Sequence, residues 1–196
     1  MATIALFHSV LGPRPGFLEA AELLRKEGHV VHAVDQYDCK VFDEYEPAIA
    51  FMETLGFENL MARALRATAS LPDGFVTMGF SNGAGMAEYV AGNRSGVSGV
   101  VMSGGGVDPD ALGIAWPANV DGQVHTTVND PWRDEGIAAV EAAAATVGAH
   151  VEVFDYPGSG HLFADASRPD EFQPAEAELM WSRVFEFLAR LDRGDR

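Results

Sequence analysis

The segment FVTMGFSNGAGM, residues 75–86, places a serine between a predicted strand and a predicted helix. Residues 75–78 are apolar enough to form a buried strand, and the helix is expected to begin at Asn82. A serine on such a turn is held above the sheet with its hydroxyl exposed, beside the amides of a helix N-terminus. Gly79 and Gly83 carry no side chain where strand and helix crowd together. The segment predicts a nucleophilic Ser81, while a serine that only caps the helix fits the same residues.

A histidine far downstream lies on a loop that also follows a predicted strand. Residues 151–156 are typical of a strand, and the turn PGSG leads directly to His161. Another predicted strand, residues 123–128, ends just before Asp130. In an open parallel sheet, ligands bind at the edge where the strands end. The chain order serine, acid, histidine is that of α/β-hydrolases, so Ser81, Asp130 and His161 form the predicted catalytic triad.

Three other carboxylates, those of Asp134, Asp155 and Asp165, compete with Asp130 for the position of the acid. Asp134 is expected to begin the next helix, where a carboxylate stabilises the first amides. Asp155 lies within a predicted strand, too early to reach across the loop. Asp130 stands at a strand end before a proline, which favours it as the acid. Its alternative role is that of a turn former in the sequence Asn-Asp-Pro.

Strands and helices alternate along the chain. Predicted strands cover residues 3–8, 29–34, 75–78, 99–103, 123–128 and 151–156. Predicted helices cover residues 15–27, 46–70 with an interruption near Gly56, 82–92, 134–147 and 174–191. This alternation predicts an α/β fold with a mostly parallel sheet and helices on both faces.

Length and charge restrict the class of protein. With 196 residues, the chain is expected to form a single domain, residues 1–196, that is too short for a sizeable cap domain as well. The net charge of -16 argues against nucleic acid and anionic membrane as partners. These features favour a small-molecule substrate, and they leave the oligomeric state open, a homodimer included.

Other patterns bear on the cellular compartment and on cofactors. No apolar run reaches the length of a membrane span, and the chain enters a strand at once, so no signal peptide is expected. The single cysteine, Cys39, excludes an internal disulfide and favours a cytoplasmic protein. No zinc signature is present, and no lysine follows the glycines of residues 83–85 as a phosphate loop would need. We therefore expect no metal and no cofactor.

The loop HSVLG, residues 8–12, follows the first predicted strand. α/β-hydrolases take one oxyanion donor from a loop at this edge and the other from the amide after the nucleophile. The backbone amides of Val10 and Asn82 are therefore the predicted donors, although an ordinary strand-to-helix connection fits this loop equally well. Aromatic residues on loops at the same edge are candidates for the pocket lining or for plain core: Tyr37, Phe42, Tyr45, Trp116 and Trp132.

Taken together, the loop of residues 8–12, the serine turn, Asp130 and the segment YPGSGHLF of residues 156–163 resemble the dienelactone hydrolase family. The resemblance extends from Ile4 to the last predicted helix. It implies a compact α/β-hydrolase fold without a cap domain, a nucleophile–His–Asp triad and no cofactor.

The chain departs from the founding members of that family at three positions. They carry a cysteine nucleophile where this chain has Ser81, and a glutamate near the first oxyanion donor where it has Ser9. They also carry an arginine that holds the substrate carboxylate, where Asp165 stands here. We therefore expect Ser9 to line the substrate pocket, and we expect the substrate not to carry an acidic group.

The function expected from these residues is that of a serine hydrolase that cleaves an ester, lactone or thioester of a small molecule. The alternative is a binding or regulatory protein that keeps the fold without turnover, because fold does not imply function.

Overall fold

The structure is a computed structural model and describes residues 1–133 and 136–194. The strands are β1 (Thr3–Phe7), β2 (Val30–Val34), β3 (Phe75–Phe80), β4 (Val97–Ser103), β5 (Asp121–Thr127) and β6 (Val151–Tyr156). The helices are α1 (Pro15–Lys26), α2 (Tyr45–Leu55), α3 (Phe57–Thr68), α4 (Asn82–Asn93), α5 (Gly136–Thr146) and α6 (Pro174–Arg193). Asp134, the predicted start of the fifth helix, lies outside the described residues.

The six strands form one sheet in the order β2-β1-β3-β4-β5-β6, and every neighbouring pair is parallel. The predicted α/β fold is therefore confirmed. The interruption predicted near Gly56 is also present, since this glycine separates α2 from α3 with a φ of 79°. Between the described elements, the longest connections are residues 104–120 and 157–173, which leaves no room for a cap domain.

The sheet is buried on both faces, which explains why its central strands are almost continuously apolar. Every residue of β3 is buried. Along β1, Ala5 and Phe7 belong to the core under α3, α4 and α5, whereas Ile4 and Leu6 belong to the core under α1 and α6. This division follows from the two-residue period of a strand. Helices therefore cover both faces, as predicted.

A parallel sheet brings all the C-terminal ends of its strands to one edge. β1 ends just before Val10, β3 just before Ser81, and β5 and β6 lead into the loops of Asp130 and His161. Four segments that are distant in sequence thus meet at this edge. Among the described residues, no helix combines the length and the apolar character needed to cross a membrane.

Candidate active site

The turn at Ser81 holds a backbone conformation that residues other than glycine rarely adopt, with φ 55° and ψ -121°. A Cβ atom on Gly79 would lie 1.9 Å from the carbonyl oxygen of Gly83. One on Gly83 would lie 2.5 Å from the carbonyl oxygens of both Phe7 and His8. The two glycines are therefore required for the close approach of β3, α4 and β1 around the serine.

The side chain of Ser81 makes no capping bond to α4, so the alternative of a simple helix cap does not hold. Its Oγ lies 2.7 Å from Nε2 of His161, and Nδ1 of His161 lies 2.8 Å from Oδ2 of Asp130. Because a carboxylate only accepts, Nδ1 carries the hydrogen and Nε2 accepts from the serine hydroxyl. The structure thus brings together the three residues that were predicted as a triad.

Asp130 is fixed through both of its carboxylate oxygens. While Oδ2 accepts from His161, Oδ1 accepts the backbone N–H of Trp132 at 2.8 Å. Asp130 and His161 are only 6% and 5% exposed, so solvent does not compete for their contact. The sequence also allowed Asp130 to act as a turn former, and its bond to the amide of Trp132 is a contact of that kind. Asp130 therefore stabilises the turn and also accepts the hydrogen bond from His161.

The other carboxylates weighed for the acid, where the structure describes them, have other partners. Asp155 pairs with the guanidinium of Arg133, with Oδ1 accepting at 3.0 and 3.1 Å. Asp165 accepts from the backbone N–H and the hydroxyl of Ser167 at 2.8 and 2.6 Å. Asp134 lies outside the described residues.

A cavity of about 230 Å³ opens at Ser81 and His161. The glycine segment of residues 104–106 is part of its lining. Both residues predicted to supply oxyanion donors, Val10 and Asn82, line it beside the serine. The amide of Asn82 has no acceptor within α4, because it is the first residue of the helix. Within residues 1–133 and 136–194, the amide of Val10 has no acceptor either.

The remaining wall of this cavity is apolar and aromatic. Ile49 and Met52 of α2, together with Val107, contribute the aliphatic part of this lining. The ring of Trp132 lies 4.7 Å from the ring of His161, and Tyr45 packs on Trp132 at 4.5 Å. The predicted pocket residue Trp132, and Tyr45 from the same group of aromatic candidates, are thus placed at the cavity.

Glu171, a residue that the sequence did not single out, connects the aromatic wall to the histidine loop. Its carboxylate accepts the hydroxyl of Tyr45 at 2.9 Å and the backbone N–H of Leu162, next to His161, also at 2.9 Å. Arg168 donates to the same carboxylate at 2.8 Å. Burial and the neighbouring Glu171 raise the pKa of Tyr45, so its hydroxyl remains a donor. Glu171 belongs to no motif, and only the fold reveals its position.

Three residues predicted to line the pocket lie elsewhere: Ser9, Tyr37 and Trp116. Tyr37 is 2% exposed and packs in the core against His8 at 4.7 Å. Trp116 is 3% exposed, and its indole N–H donates to the carbonyl oxygen of Val120 at 2.8 Å. Tyr37 follows β2 and Trp116 precedes β5, and both pack into the core under α3, α4 and α5 and do not reach the cavity.

Ser9 and Asp165 line a neighbouring cavity of about 10 Å³, separate from the one at Ser81. The hydroxyl of Ser9 accepts the backbone N–H of Leu11 at 3.2 Å, which holds it within its own loop. The structure therefore does not place Ser9, predicted at the pocket, in the cavity at Ser81, and Asp165 lies outside that cavity as well. Phe42, the last aromatic candidate, is half-buried and packs on Phe51 at 5.3 Å, against the core.

Among the described residues, no group of three or more His, Cys, Asp and Glu side chains is arranged to hold a metal ion.

An all-parallel sheet of this order, with a strained serine turn after β3, defines an α/β-hydrolase fold. The model of the dienelactone hydrolase family matches residues 2–191, and the chain therefore belongs to that family. Membership places the protein among hydrolases. No curated protein matches the sequence significantly.

Solved structures share this fold at low sequence identity. One is a dienelactone hydrolase-like promiscuous phosphotriesterase from metagenomic libraries, with a TM-score of 0.83 and 20% identity over 97% of this chain and 87% of that chain. Another is a dienelactone hydrolase from Anabaena variabilis ATCC 29413, with a TM-score of 0.61 and 23% identity over 91% of this chain and 83% of that chain. At these identities, the similarity shows the fold alone.

Proposed function

We propose that the protein is a serine hydrolase that cleaves an uncharged ester, lactone or thioester of a small molecule by two-step acyl transfer. The observation that carries this proposal is the continuous contact from Ser81 Oγ through His161 to Asp130, at 2.7 and 2.8 Å. Serine and histidine at this distance are arranged for transfer of the hydroxyl proton as the oxygen attacks. Membership in a family of hydrolases supports the same reaction type.

In the first step, Nε2 of His161 accepts the hydroxyl proton while Ser81 Oγ bonds to the carbonyl carbon of the substrate. Asp130 holds the imidazole in the tautomer that accepts at Nε2 and stabilises the imidazolium that forms. His161 then returns the proton to the leaving group as the bond between the carbonyl carbon and that group breaks. The product of this step is an acyl-serine.

In the second step, water loses a proton to the same histidine as its oxygen bonds to the acyl carbon. His161 then returns the proton to Oγ of Ser81 as the bond between Oγ and the acyl carbon breaks, which releases the acid. Both steps place negative charge on the carbonyl oxygen. Val10 and Asn82 line the cavity beside the serine, and their amides have no acceptor of their own among the described residues. They are therefore the donors proposed for this oxyanion.

The cavity lining supports an uncharged substrate. Ile49, Met52 and Val107 offer apolar surface, and no lysine or arginine of the described part of the chain lines the cavity. A free carboxylate placed there would lose its hydration without gaining a cation. The sequence predicted a preference for neutral substrates from Asp165, which lies outside the cavity. The same preference is instead expected from the apolar lining by Ile49, Met52 and Val107. The volume of about 230 Å³ suits a short acyl group.

The proposal is tested with the purified protein on short-chain esters, lactones and thioesters, each paired with an analogue that bears a free carboxylate. We expect turnover of the neutral member of each pair, and slower turnover of the anionic one by roughly tenfold, since one unpaired buried charge costs more than 1 kcal/mol. Ser81→Ala is expected to lose several powers of ten in kcat. Ser98→Ala, at the opposite end of the sheet, is the matched control and should retain wild-type activity.

A fluorophosphonate probe distinguishes the enzyme from the binding protein considered as the alternative. An active serine hydrolase is modified at Ser81, which peptide mapping identifies, whereas a binding protein without turnover is not. Wild-type protein that neither reacts with the probe nor hydrolyses any substrate would overturn the proposal.

A further inference from the structure

His8 is a fully buried histidine that follows β1 directly and precedes the loop of Val10. Its Nδ1 lies 2.7 Å from the carbonyl oxygen of Ser9, and its Nε2 lies 3.1 Å from the backbone nitrogen of Gln36. The amide of Gln36 can only donate, so Nε2 accepts and the hydrogen is on Nδ1. The side chain of His8 therefore donates to the carbonyl group of Ser9. Burial lowers the pKa of His8, which keeps the ring neutral and this arrangement intact.

The carbonyl group of Ser9 belongs to the same peptide unit as the N–H of Val10. In a trans peptide these two groups point in opposite directions. The backbone N–H of Gly12 donates to the same oxygen at 3.0 Å, and neither His8 nor Gly12 lines the cavity that Val10 lines. With the carbonyl held by these two donors, the N–H of Val10 points to the opposite side.

The ring of His8 is itself held in place from several sides. Tyr37 packs against it at 4.7 Å and Phe17 at 5.7 Å, both in edge-on geometry. Gln36, whose backbone amide donates to Nε2 of His8, is itself held by α3, because its side chain donates to the carbonyl oxygen of Leu60 at 2.8 Å. A ring so confined fixes the peptide unit before substrate binds. Such preorganisation is the main source of oxyanion stabilisation.

We propose that His8 is a positioning residue whose Nδ1–H orients the peptide unit between Ser9 and Val10, so that the Val10 amide faces the developing oxyanion. This inference rests on the proposed acyl transfer at Ser81. His8 does not touch the substrate in this role, and its effect is confined to the stabilisation of charge in the transition state. Its loss is therefore expected to lower kcat with little change in KM.

Two substitutions distinguish the hydrogen bond of Nδ1 from the hydrogen bond of Nε2. The amide nitrogen of His8→Asn reaches the position of Nδ1 and keeps a donor for Ser9, but it leaves the amide of Gln36 without an acceptor. The side-chain oxygen of His8→Gln reaches the position of Nε2 and keeps the bond to Gln36, but the donor to Ser9 is lost. Each variant leaves one buried backbone group unpaired, so both are expected to be less stable.

The expected result is a split between the two variants in ester hydrolysis. His8→Gln should lose about tenfold or more in kcat, a part of the 10²–10³-fold cost of removing an oxyanion donor altogether, because Gly12 still holds the carbonyl. His8→Asn should retain kcat within about threefold of wild type. Binding of a boronic acid, which forms a tetrahedral adduct on Ser81, should weaken in His8→Gln in parallel with kcat.

Urea unfolding of both variants shows whether activity follows stability instead. An equal fall in kcat for the two variants, in proportion to lost stability, would overturn the inference while leaving the proposed function intact. Wild-type protein without turnover would overturn the proposed function, and this inference with it. Should His8→Gln fail to fold, His8→Asn decides: retained kcat supports the inference, and a tenfold loss overturns it.

Discussion

At Ser81, backbone strain and side-chain position are linked. A φ of 55° costs an L-residue on the order of 1–3 kcal/mol, and the surrounding structure has to impose it. Two features hold the backbone of Ser81 in this conformation. Its amide donates to the carbonyl oxygen of Ser103 at 2.7 Å, and α4 begins at the next residue. The strain keeps Oγ within 2.7 Å of His161.

Asp130 offers a sharp test at the scale of single residues. Asp130→Asn should lower kcat by about 10⁴-fold, because an amide that donates to Nδ1 favours the wrong imidazole tautomer. The fold should remain, since the asparagine oxygen can still accept from the amide of Trp132. The measurement is steady-state ester hydrolysis together with urea unfolding.

Asp155→Asn is the matched control for this change. Its carboxylate pairs with Arg133 and does not contact His161, so kcat should stay near the wild-type value. Retained activity in Asp130→Asn, or a comparable loss in both variants, would show that the acid has been assigned to the wrong residue.

At the scale of elements, α4 approaches β1 and β3 more closely than any side chain would allow. A Cβ atom on Gly83 would meet the backbone oxygens of Phe7 and His8, neither of which can move without shifting β1. Two residues further on, at Gly85, the neighbouring atoms belong to a side chain instead of the backbone. A Cβ atom on Gly85 would meet only a methyl group of Val107, at 3.1 Å.

Gly83→Ala and Gly85→Ala should therefore differ, although both change glycine to alanine in the same helix. We expect Gly83→Ala to cost about 3 kcal/mol or more of stability, since backbone rather than side chains must yield, and to lower activity by displacing Ser81. Gly85→Ala should change stability by less than about 1 kcal/mol, because helix propensity favours alanine and Val107 can adjust. Urea unfolding measures both, and equal losses would contradict this account of the packing.

The wall formed by α2 is attached through several apolar side chains. Ala48 is buried, and Phe51, Met52 and Leu55 are half-buried and pack against the core. Tyr45 adds a polar link, because its hydroxyl donates to Glu171 while its ring packs on Trp132. Glu171 also accepts from the amide of Leu162, and thus one carboxylate links the substrate wall to the loop of the histidine.

Strand–helix alternation and the convergence of strand ends were predictable, because both depend on local patterns and on the geometry of parallel sheets. That is why the contacts among Ser81, Asp130 and His161 follow from the sequence. The orientations of Tyr37 and Trp116 were not predictable, since they depend on which face of the sheet has space.

His8 and Glu171 were missed for a related reason. Each acts through backbone groups, those of Ser9 and Leu162, whose direction depends on the loop conformation rather than on residue type. No pattern of side chains in the sequence marks such a contact.

At the scale of the whole molecule, stability depends on buried groups that take no part in the proposed reaction. His125 of β5 is fully buried between Gln123 and Tyr156: Nε2–H donates to Gln123 Oε1 at 3.2 Å, and Nδ1 accepts the hydroxyl of Tyr156 at 2.8 Å. Its ring stacks on Phe154 at 5.2 Å. Burial, and to a lesser extent the charge of Arg183, lowers the pKa of His125 to about 3.

This lowered pKa makes folding sensitive to acid in a defined window. Between the ordinary value of 6.5 and about 3, the unfolded chain binds a proton at His125 that the folded protein does not bind. Stability is therefore unaffected above that window and falls as the pH drops through it, with a limiting slope of about 1.4 kcal/mol per pH unit for one group. His8, whose pKa is also lowered by burial, acts in the same direction.

His125→Gln should accordingly flatten the dependence of the unfolding free energy on pH, even if the variant is less stable at every pH. Urea unfolding between about pH 7.5 and about pH 5 is the appropriate measurement, and the slope in the lower part of that range should fall by up to about 1.4 kcal/mol per pH unit. His150→Gln, which changes an exposed side chain just before β6, is the matched control and should keep the wild-type slope. An unchanged slope in His125→Gln would mean that the folded protein takes up the proton at His125 as readily as the unfolded chain does, and that its bonds to Gln123 and Tyr156 do not hold the neutral form.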